Sequence, residues 1–322
     1  MKKIILILIC VQLCVIIVLT FIIYKKHISR IKKVNVNPIK KENISVNKES
    51  TLHWFYEFKA NEQGYDYGGG SLKAVYDINS DTLNERFDYE INKDDKTFRI
   101  ITLGDSFTFG YGVDTKYNWT ELLEDKLNQL SCTNFNKMEV INLGVSAYDI
   151  QYSVERFKLR GKKYNPDLVL WLLKGDDFQE IKEIVQPKWN KINNERLKLF
   201  TPDIVLYAQP LQKAIEEMTN ELGESTILQM QTRFLNEIKN YYTDKLILFT
   251  FNSTQEKYKL IMRNFSNKRK NTLFYENLID IYNKEKDATF LPFDYHPNNL
   301  GHKLIAEDMF NYLVKNKLIP CN

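Results

Sequence analysis

Residues 98–113, FRIITLGDSFTFGYGV, contain the stretch that decides the fold class of this chain. The first seven residues, FRIITLG, form a short apolar run, which is typical of a strand buried on both faces of a sheet. Ser106 follows this strand directly, so its hydroxyl would be exposed at a sharp turn. On its own, the GDS tripeptide is equally consistent with a helix-capping Ser or Asp beside a turn glycine.

Strands and helices alternate from Thr97 to the C-terminus. Further strands are predicted in MEVINLG, PDLVLWLL, KLILFTF and, more weakly, TLFYENLIDIY. Helices are predicted in NWTELLEDKLNQL, IQYSVERFKLRGKKY, TILQMQTRFLNEIKNYY and NLGHKLIAEDMFNYLVKNK. This alternation indicates an α/β fold with a parallel five-stranded sheet and helices on both faces. In such sheets, functional residues lie at the carboxyl ends of the strands.

The N-terminus carries an uncharged apolar run, IILILICVQLCVIIVLTFII, at residues 4–23. Twenty residues at about 1.5 Å each span the roughly 30 Å hydrocarbon layer of a membrane. A core helix would rarely be apolar on every face, and a cleaved signal peptide is shorter and ends in small residues. We therefore predict that residues 1–24 are an uncleaved, single-pass anchor in the cell membrane.

The rest of the chain divides into three predicted segments. Residues 25–50 are basic and Asn-rich and read as a spacer, and residues 51–96 form an aromatic N-terminal lead-in. Residues 97–322 form the main domain. Within it, the stretch 182–225 exceeds a normal connection and is predicted to be an insertion near the site, and a candidate lid.

Composition excludes several classes of protein. The chain has 322 residues, of which 43% are hydrophobic and 27% charged, and these values are typical of a globular protein. The net charge is only +4, and acidic and basic residues are interspersed. A nucleic-acid partner is not expected, because such binding requires clustered positive charge.

A second polar segment, FDYHPNNLGH, occupies residues 293–302 and places His296 two residues after Asp294. A nucleophilic serine needs a base to accept its proton, and the base needs a carboxylate to fix its tautomer. The remaining histidines are less suited to this role: His27 flanks the anchor, His53 lies in the lead-in and His302 lies inside a predicted helix. Taken alone, His296 is also consistent with an ordinary surface loop.

A third segment, INLGVSAYD, places Gly144 after the second strand of the predicted sheet. A glycine lets a backbone N–H approach a bound oxyanion closely. Taken alone, Gly144 is more typical of an ordinary turn glycine than of an oxyanion donor.

Together, the three segments resemble the SGNH/GDSL hydrolases, over roughly residues 98–315, and in particular their membrane-anchored bacterial serine esterases. The resemblance implies a flavodoxin-like three-layer fold. It implies Ser106 as nucleophile, His296 as base and Asp294 as the residue that orients it. It also implies that the backbone amides of Ser106 and Gly144 are oxyanion donors, and that no metal or organic cofactor is needed.

One position departs from the family pattern. The third block normally reads Gly-Asn-Asp, whereas this chain has LLKGDDF, so Asp176 stands where an oxyanion-donating Asn is expected. An ionised carboxylate only accepts hydrogen bonds, and loss of one such donor costs about 10²–10³ in rate. A protonated Asp176 in a dry site would still donate. Asp177 is predicted to cap the helix that follows it.

The resemblance and the anchor favour hydrolysis of an O-acyl ester, with an acylated glycan of the cell envelope as the expected substrate. An O-acyltransferase that uses the same triad is one alternative. A non-catalytic glycan-binding or scaffold protein is another, and Asp176 favours it.

Cys132 and Cys321 are the cysteines outside the predicted anchor. In the implied fold, the helices that precede them lie on the same face of the sheet and both end opposite the catalytic edge. We predict a disulfide between them, which requires Cα atoms within about 7 Å and an oxidising compartment. The catalytic domain would then lie outside the cytoplasm, although the basic residues after the anchor favour the opposite orientation. The alternative to the disulfide is that Cys132 and Cys321 are two unrelated thiols.

Overall fold

The computed structural model of the protein describes residues 44–46, 49–68, 72–131, 135–199, 208–281, 289–291 and 295–320. All of them belong to one compact unit, Pro38–Asn322. The predicted anchor at residues 4–23, Asp294 and both cysteines of the predicted disulfide lie outside these ranges. No helix within the described ranges is both long and apolar enough to cross a membrane.

The described ranges contain strands and helices in the predicted alternation. The strands are β1 (Ile44–Val46), β2 (Tyr56–Phe58), β3 (Glu62–Gly68), β4 (Leu72–Ile78), β5 (Thr97–Leu103), β6 (Lys137–Asn142), β7 (Leu168–Leu172), β8 (Lys245–Phe251) and β9 (Thr272–Leu278). The helices are α1 (Ser106–Phe109), α2 (Trp119–Leu127), α3 (Ile150–Arg156), α4 (Lys182–Leu199), α5 (Ala208–Leu222), α6 (Glu224–Glu237), α7 (Glu256–Asn267) and α8 (Asn299–Lys315).

Strands β5 to β9 form one parallel sheet in the order β6-β5-β7-β8-β9. The predicted five-stranded parallel sheet is therefore confirmed, including its weak last strand. Counted along the chain, the order is 2-1-3-4-5, which is the flavodoxin-like arrangement. The loops after β5, β6 and β7 consequently meet at one edge of the sheet.

Two apolar clusters cover the two faces of the sheet. Successive side chains of a strand point to opposite faces, so Ile100 of β5 lies in the cluster with α2 and α8. Its neighbour Ile101 lies in the other cluster, with α3, α6 and α7. This alternation produces the three layers that the resemblance implies.

The outer edge of β6 is covered by side chains rather than by another strand. The N–H groups of Met138 and Val140 donate to Asn128 Oδ1 at 2.9 Å and Glu124 Oε2 at 2.7 Å, and that of Asn142 donates to Glu85. An uncovered edge would be free to pair with another chain. Burial raises the pKa of Glu124 to about 7 and, helped by neighbouring glutamates, raises the pKa of Glu85 well above its usual range.

The lead-in packs against the helix that follows β5. The ring of Phe58 on β2 stacks on Phe109 of α1, with centroids 5.0 Å apart, and Tyr76 on β4 meets the same ring edge-on at 4.9 Å. Glu57 forms buried ion pairs with Arg156 and Arg160. The lead-in therefore supports α1 from outside the sheet.

The stretch 182–225 is more regular than the sequence suggests, because it contains α4 and α5. Apolar residues recur at helical spacing on both helices, with Ile184 and Trp189 on α4 and Ala214 and Met218 on α5 packed into the core. Pro187 inside α4 and the many polar residues weaken that pattern in the sequence.

Candidate active site

Ser106 is the first residue of α1, at the carboxyl edge of the sheet. Asp105 precedes it and caps the helix, because its Oδ1 accepts the N–H of Phe107 at 2.9 Å. Within the described ranges, no acceptor binds the N–H of Ser106. The strand, the cap and the short helix thus hold the hydroxyl and one free amide at the sheet edge.

His296 lies against Ser106, as the sequence predicts. Its Nε2 is 2.7 Å from Ser106 Oγ, a hydrogen-bonding distance suited to proton transfer. The rings of Tyr111 and Phe107 flank the imidazole, with centroids 4.5 Å and 5.3 Å from it. The His296 carbonyl accepts the N–H of Leu291 at 2.9 Å, which anchors the loop. Asp294 lies outside the described residues, so its role stays a prediction.

Gly144 lies close to α1, but its amide is already engaged. The Gly144 N–H donates to Asn142 Oδ1 at 2.9 Å. In this conformation the amide is bound to Asn142, and its role as an oxyanion donor stays a prediction. The glycine is needed for another reason: a Cβ there would lie 2.6 Å from the Thr108 carbonyl carbon.

Three residues further along the same loop, Ala147 adopts a left-handed conformation with φ of 57°. Two hydrogen bonds hold this part of the loop, since Ser146 O accepts from the Tyr56 hydroxyl at 2.5 Å and Ala147 O accepts from Lys182 Nζ at 2.8 Å. Among the described residues, none accepts the Ala147 N–H. This left-handed turn could not be predicted from the sequence, because alanine gives no signal of a positive φ.

Asp176 forms an ion pair with Lys174. Its Oδ2 is 2.6 Å from Lys174 Nζ. Partial desolvation raises the pKa of Asp176, but the Lys174 ammonium outweighs it and, with a smaller contribution from His296, lowers that pKa below its ordinary value. This direction favours an ionised Asp176 over the protonated, donating alternative, and its place at the oxyanion stays a prediction. Lys174 also pairs with Asp105, the residue before Ser106, so Asp176 lies near the Ser–His pair.

Asp177 does not cap the next helix, which corrects that prediction. Its Oδ2 turns back and accepts the Lys174 N–H at 2.6 Å. Burial, together with Asp105, raises the pKa of Asp177 well above its usual range. The first N–H of α4, on Lys182, is instead accepted by Asp149 Oδ2 at 2.7 Å.

The other histidines of the described ranges lie outside the Ser106–His296 pair. His302 is buried, and its Nδ1 accepts the backbone N–H of Trp119 at 3.2 Å, so that α8 is tied to α2. Burial and the nearby His296 lower the pKa of His302 to about 3, so it stays neutral. His53 is exposed and pairs with Glu183. No group of three potential metal-ligating side chains occurs among the described residues.

The comparison with protein families identifies the chain. The family whose model matches residues 102–304 is described as the GDSL-like lipase/acylhydrolase family. The chain belongs to this family. The match covers most of the predicted main domain and includes Ser106, Asp176 and His296. This GDSL protein is accordingly a hydrolase that acts on ester bonds.

Solved structures similar to this GDSL protein have low sequence identity. The psychrotrophic esterase EstA from Pseudoalteromonas sp. is 16% identical, with 70% of this chain and 100% of that chain covered, at a TM-score of 0.40. A Clostridium thermocellum family 3 carbohydrate esterase is 17% identical, with 69% of this chain and 97% of that chain covered, at a TM-score of 0.37. The acetylxylan esterase Axe2 from Geobacillus stearothermophilus is 12% identical, with 69% of this chain and 95% of that chain covered, at a TM-score of 0.37. No curated protein matched the chain.

Proposed function

We propose that this GDSL hydrolase removes O-acyl groups from a cell-envelope polysaccharide, with Ser106 as nucleophile, His296 as base and Asp294 as the residue that orients the base. The observation that carries the proposal is the 2.7 Å distance between His296 Nε2 and Ser106 Oγ at the carboxyl edge of the sheet. A serine in contact with an imidazole can be deprotonated as it attacks, whereas an isolated serine is a weak nucleophile.

The reaction proceeds in two balanced halves. His296 Nε2 accepts the Ser106 proton while Oγ attacks the ester carbonyl carbon, and the imidazolium then returns the proton to the departing sugar oxygen. This leaves the acyl group on Ser106. In the second half, His296 takes a proton from water, the resulting hydroxide attacks the acyl carbon, and Ser106 recovers its proton as the free acid leaves.

The oxyanion is stabilised by backbone amides. We assign one donor to the free N–H of Ser106. The second remains the predicted Gly144, whose N–H would have to leave Asn142 Oδ1 to bind the oxyanion. The Asp105 cap on α1 holds the Ser106 amide in place before the substrate binds. Fixed donors of this kind are worth more than mobile ones, because they need no reorganisation during the reaction.

The glycan substrate is supported by two features. The predicted anchor at residues 4–23 would hold the domain at the membrane surface, where an extracytoplasmic enzyme meets envelope polymers. Tyr295, beside the base, is 81% exposed and offers an aromatic face on which a sugar ring can stack. Tyr295 is too exposed to be part of the core.

Fluorophosphonate labelling, followed by a product assay, tests the proposal. The wild-type protein should label on Ser106 and release acid from an O-acetylated polysaccharide, and Ser106→Ala should do neither. Ser146→Ala, which removes a serine from the neighbouring loop, is the matched control and should still label. Absence of labelling in the wild-type protein would favour a non-catalytic role, and acyl transfer to an added sugar in place of acid release would identify a transferase.

A further inference from the structure

Lys174 is a buried cation that the proposed reaction does not use. It lies two residues beyond β7, and only 8% of its side chain is exposed. Lysine is rarely buried to this extent unless it is paired. Burial alone would lower the pKa of Lys174, but the carboxylates of Asp105 and Asp176 outweigh it and hold that pKa well above its ordinary value.

The ammonium joins the loop after β5 to the loop after β7. Lys174 Nζ lies 2.7 Å from Asp105 Oδ2 and 2.6 Å from Asp176 Oδ2, and 4.4 Å from the ring centroid of Phe107. Asp105 and Phe107 are the residues on either side of Ser106. The cation therefore contacts both chain neighbours of the nucleophile.

The two ion pairs differ in their surroundings. The Asp105 side chain is 9% exposed, whereas that of Asp176 is 56% exposed. Water can screen the Asp176 carboxylate, and exposed pairs contribute little. The Asp105 carboxylate has no such screening, and its other oxygen is committed to capping α1. A buried charge of this kind needs a partner.

We propose that Lys174 is a positioning residue that neutralises the Asp105 carboxylate. Asp105 can then cap α1, the helix that begins with Ser106, without placing an uncompensated negative charge beside the developing oxyanion. This inference rests on the proposed role of Ser106. A unit charge roughly 5 Å from an oxyanion, at an effective dielectric constant of about 20, changes a rate by on the order of 100-fold.

Lys174→Met tests the proposal, because methionine keeps an apolar stem over Phe107 and removes only the charge. On a short-chain p-nitrophenyl ester, kcat should fall by on the order of 100-fold while KM stays within about twofold of wild type. The double variant Lys174→Met/Asp105→Asn should recover kcat to within about tenfold of wild type, because asparagine caps a helix as well as aspartate does and needs no counter-ion.

The control is Lys93→Met at the other end of β7. Lys93 is 14% exposed and its Nζ lies 2.6 Å from Oδ1 of Asp167, the residue before β7. Lys93→Met should leave kcat unchanged when each variant is assayed well below its melting temperature. A wild-type kcat in Lys174→Met, a double variant as slow as the single one, or an equal loss in Lys93→Met would overturn the proposal.

Two further measurements cover the cases in which Lys174→Met does not fold or the proposed function is wrong. If Lys174→Met does not fold, the uncharged double variant is compared with wild type directly, and a folded but inactive double variant overturns the inference. Fluorophosphonate labelling of Ser106 distinguishes failure of the proposed function from failure of the role of Lys174. If the wild-type protein does not label, the proposed function is wrong. If the wild-type protein labels and Lys174→Met keeps the wild-type kcat, only the role of Lys174 is wrong.

Discussion

Replacing Gly144 with alanine tests how closely the loop after β6 must approach the nucleophile helix. A Cβ at this position would lie 2.6 Å from the Thr108 carbonyl carbon and 2.7 Å from the Thr108 Cβ, and closer still to the Phe109 nitrogen. Two of these are backbone atoms of α1, which cannot rotate away. Either α1 or the loop must therefore shift.

The expected cost follows from that shift. Forcing an extra methyl group into a packed interior costs about 1–3 kcal/mol, and 2 kcal/mol lowers Tm by roughly 4–8 °C in a domain of this size. Ser106 moves with α1, and a displacement of about 1 Å from its base costs on the order of 100-fold in rate. We expect both losses together in Gly144→Ala.

Thermal unfolding and kcat/KM on a short acyl ester measure the two effects. Gly64→Ala is the matched control, since a Cβ there would meet only the Tyr76 side chain, at 3.6 Å and 3.7 Å. It should leave both quantities close to wild type. If Gly144→Ala keeps the wild-type Tm and a rate within twofold of wild type, the close approach of the loop to α1 is refuted.

Three further predictions concern charge and redox state. Asp176→Asn should raise kcat by roughly tenfold, because it removes a negative charge near the Ser–His pair and adds a donor; an unchanged kcat would mean that this position does not contact the oxyanion. Burial raises the pKa of Glu124 from 4.5 to about 7, so the stability it contributes is present below about pH 4.5 and is lost as the pH rises through 7. Glu124→Gln should therefore flatten the fall in urea-unfolding free energy between pH 5 and 8, by up to roughly 3 kcal/mol, and an equally steep fall in the variant would refute this. Thiol titration of protein purified from its native cells without reductant should find Cys132 and Cys321 paired, and two free thiols would contradict the predicted disulfide.

The sheet could be predicted because most residues of its central strands are apolar. Every residue of β5 and β7 is buried, so the apolar run itself marks the strand. β9 mixes buried and exposed residues, since it lies at the edge of the sheet, and its signal was correspondingly weak. The Ser106–His296 contact was also predictable, because both residues follow from motifs at the same edge.

The polar contacts of the loops could not be predicted, because they depend on side-chain directions rather than on residue types. The sequence contains both Asp177 and Asp149 as potential caps for α4, and only the fold brings Asp149 to Lys182. In the same way, a lysine after an apolar strand reads as a solvent-facing residue. The burial of Lys174 between Asp105 and Asp176 is visible only in three dimensions.

The identity of the nucleophile is the central claim, and mass spectrometry of the fluorophosphonate-treated protein tests it most directly. The account predicts one adduct per chain, located on the peptide that contains Ser106. The adduct should be absent from Ser106→Ala and should form at least about 10³-fold more slowly in His296→Ala, because the serine is weak without its base. An adduct on another residue, or ester hydrolysis that persists in Ser106→Ala, would contradict the account.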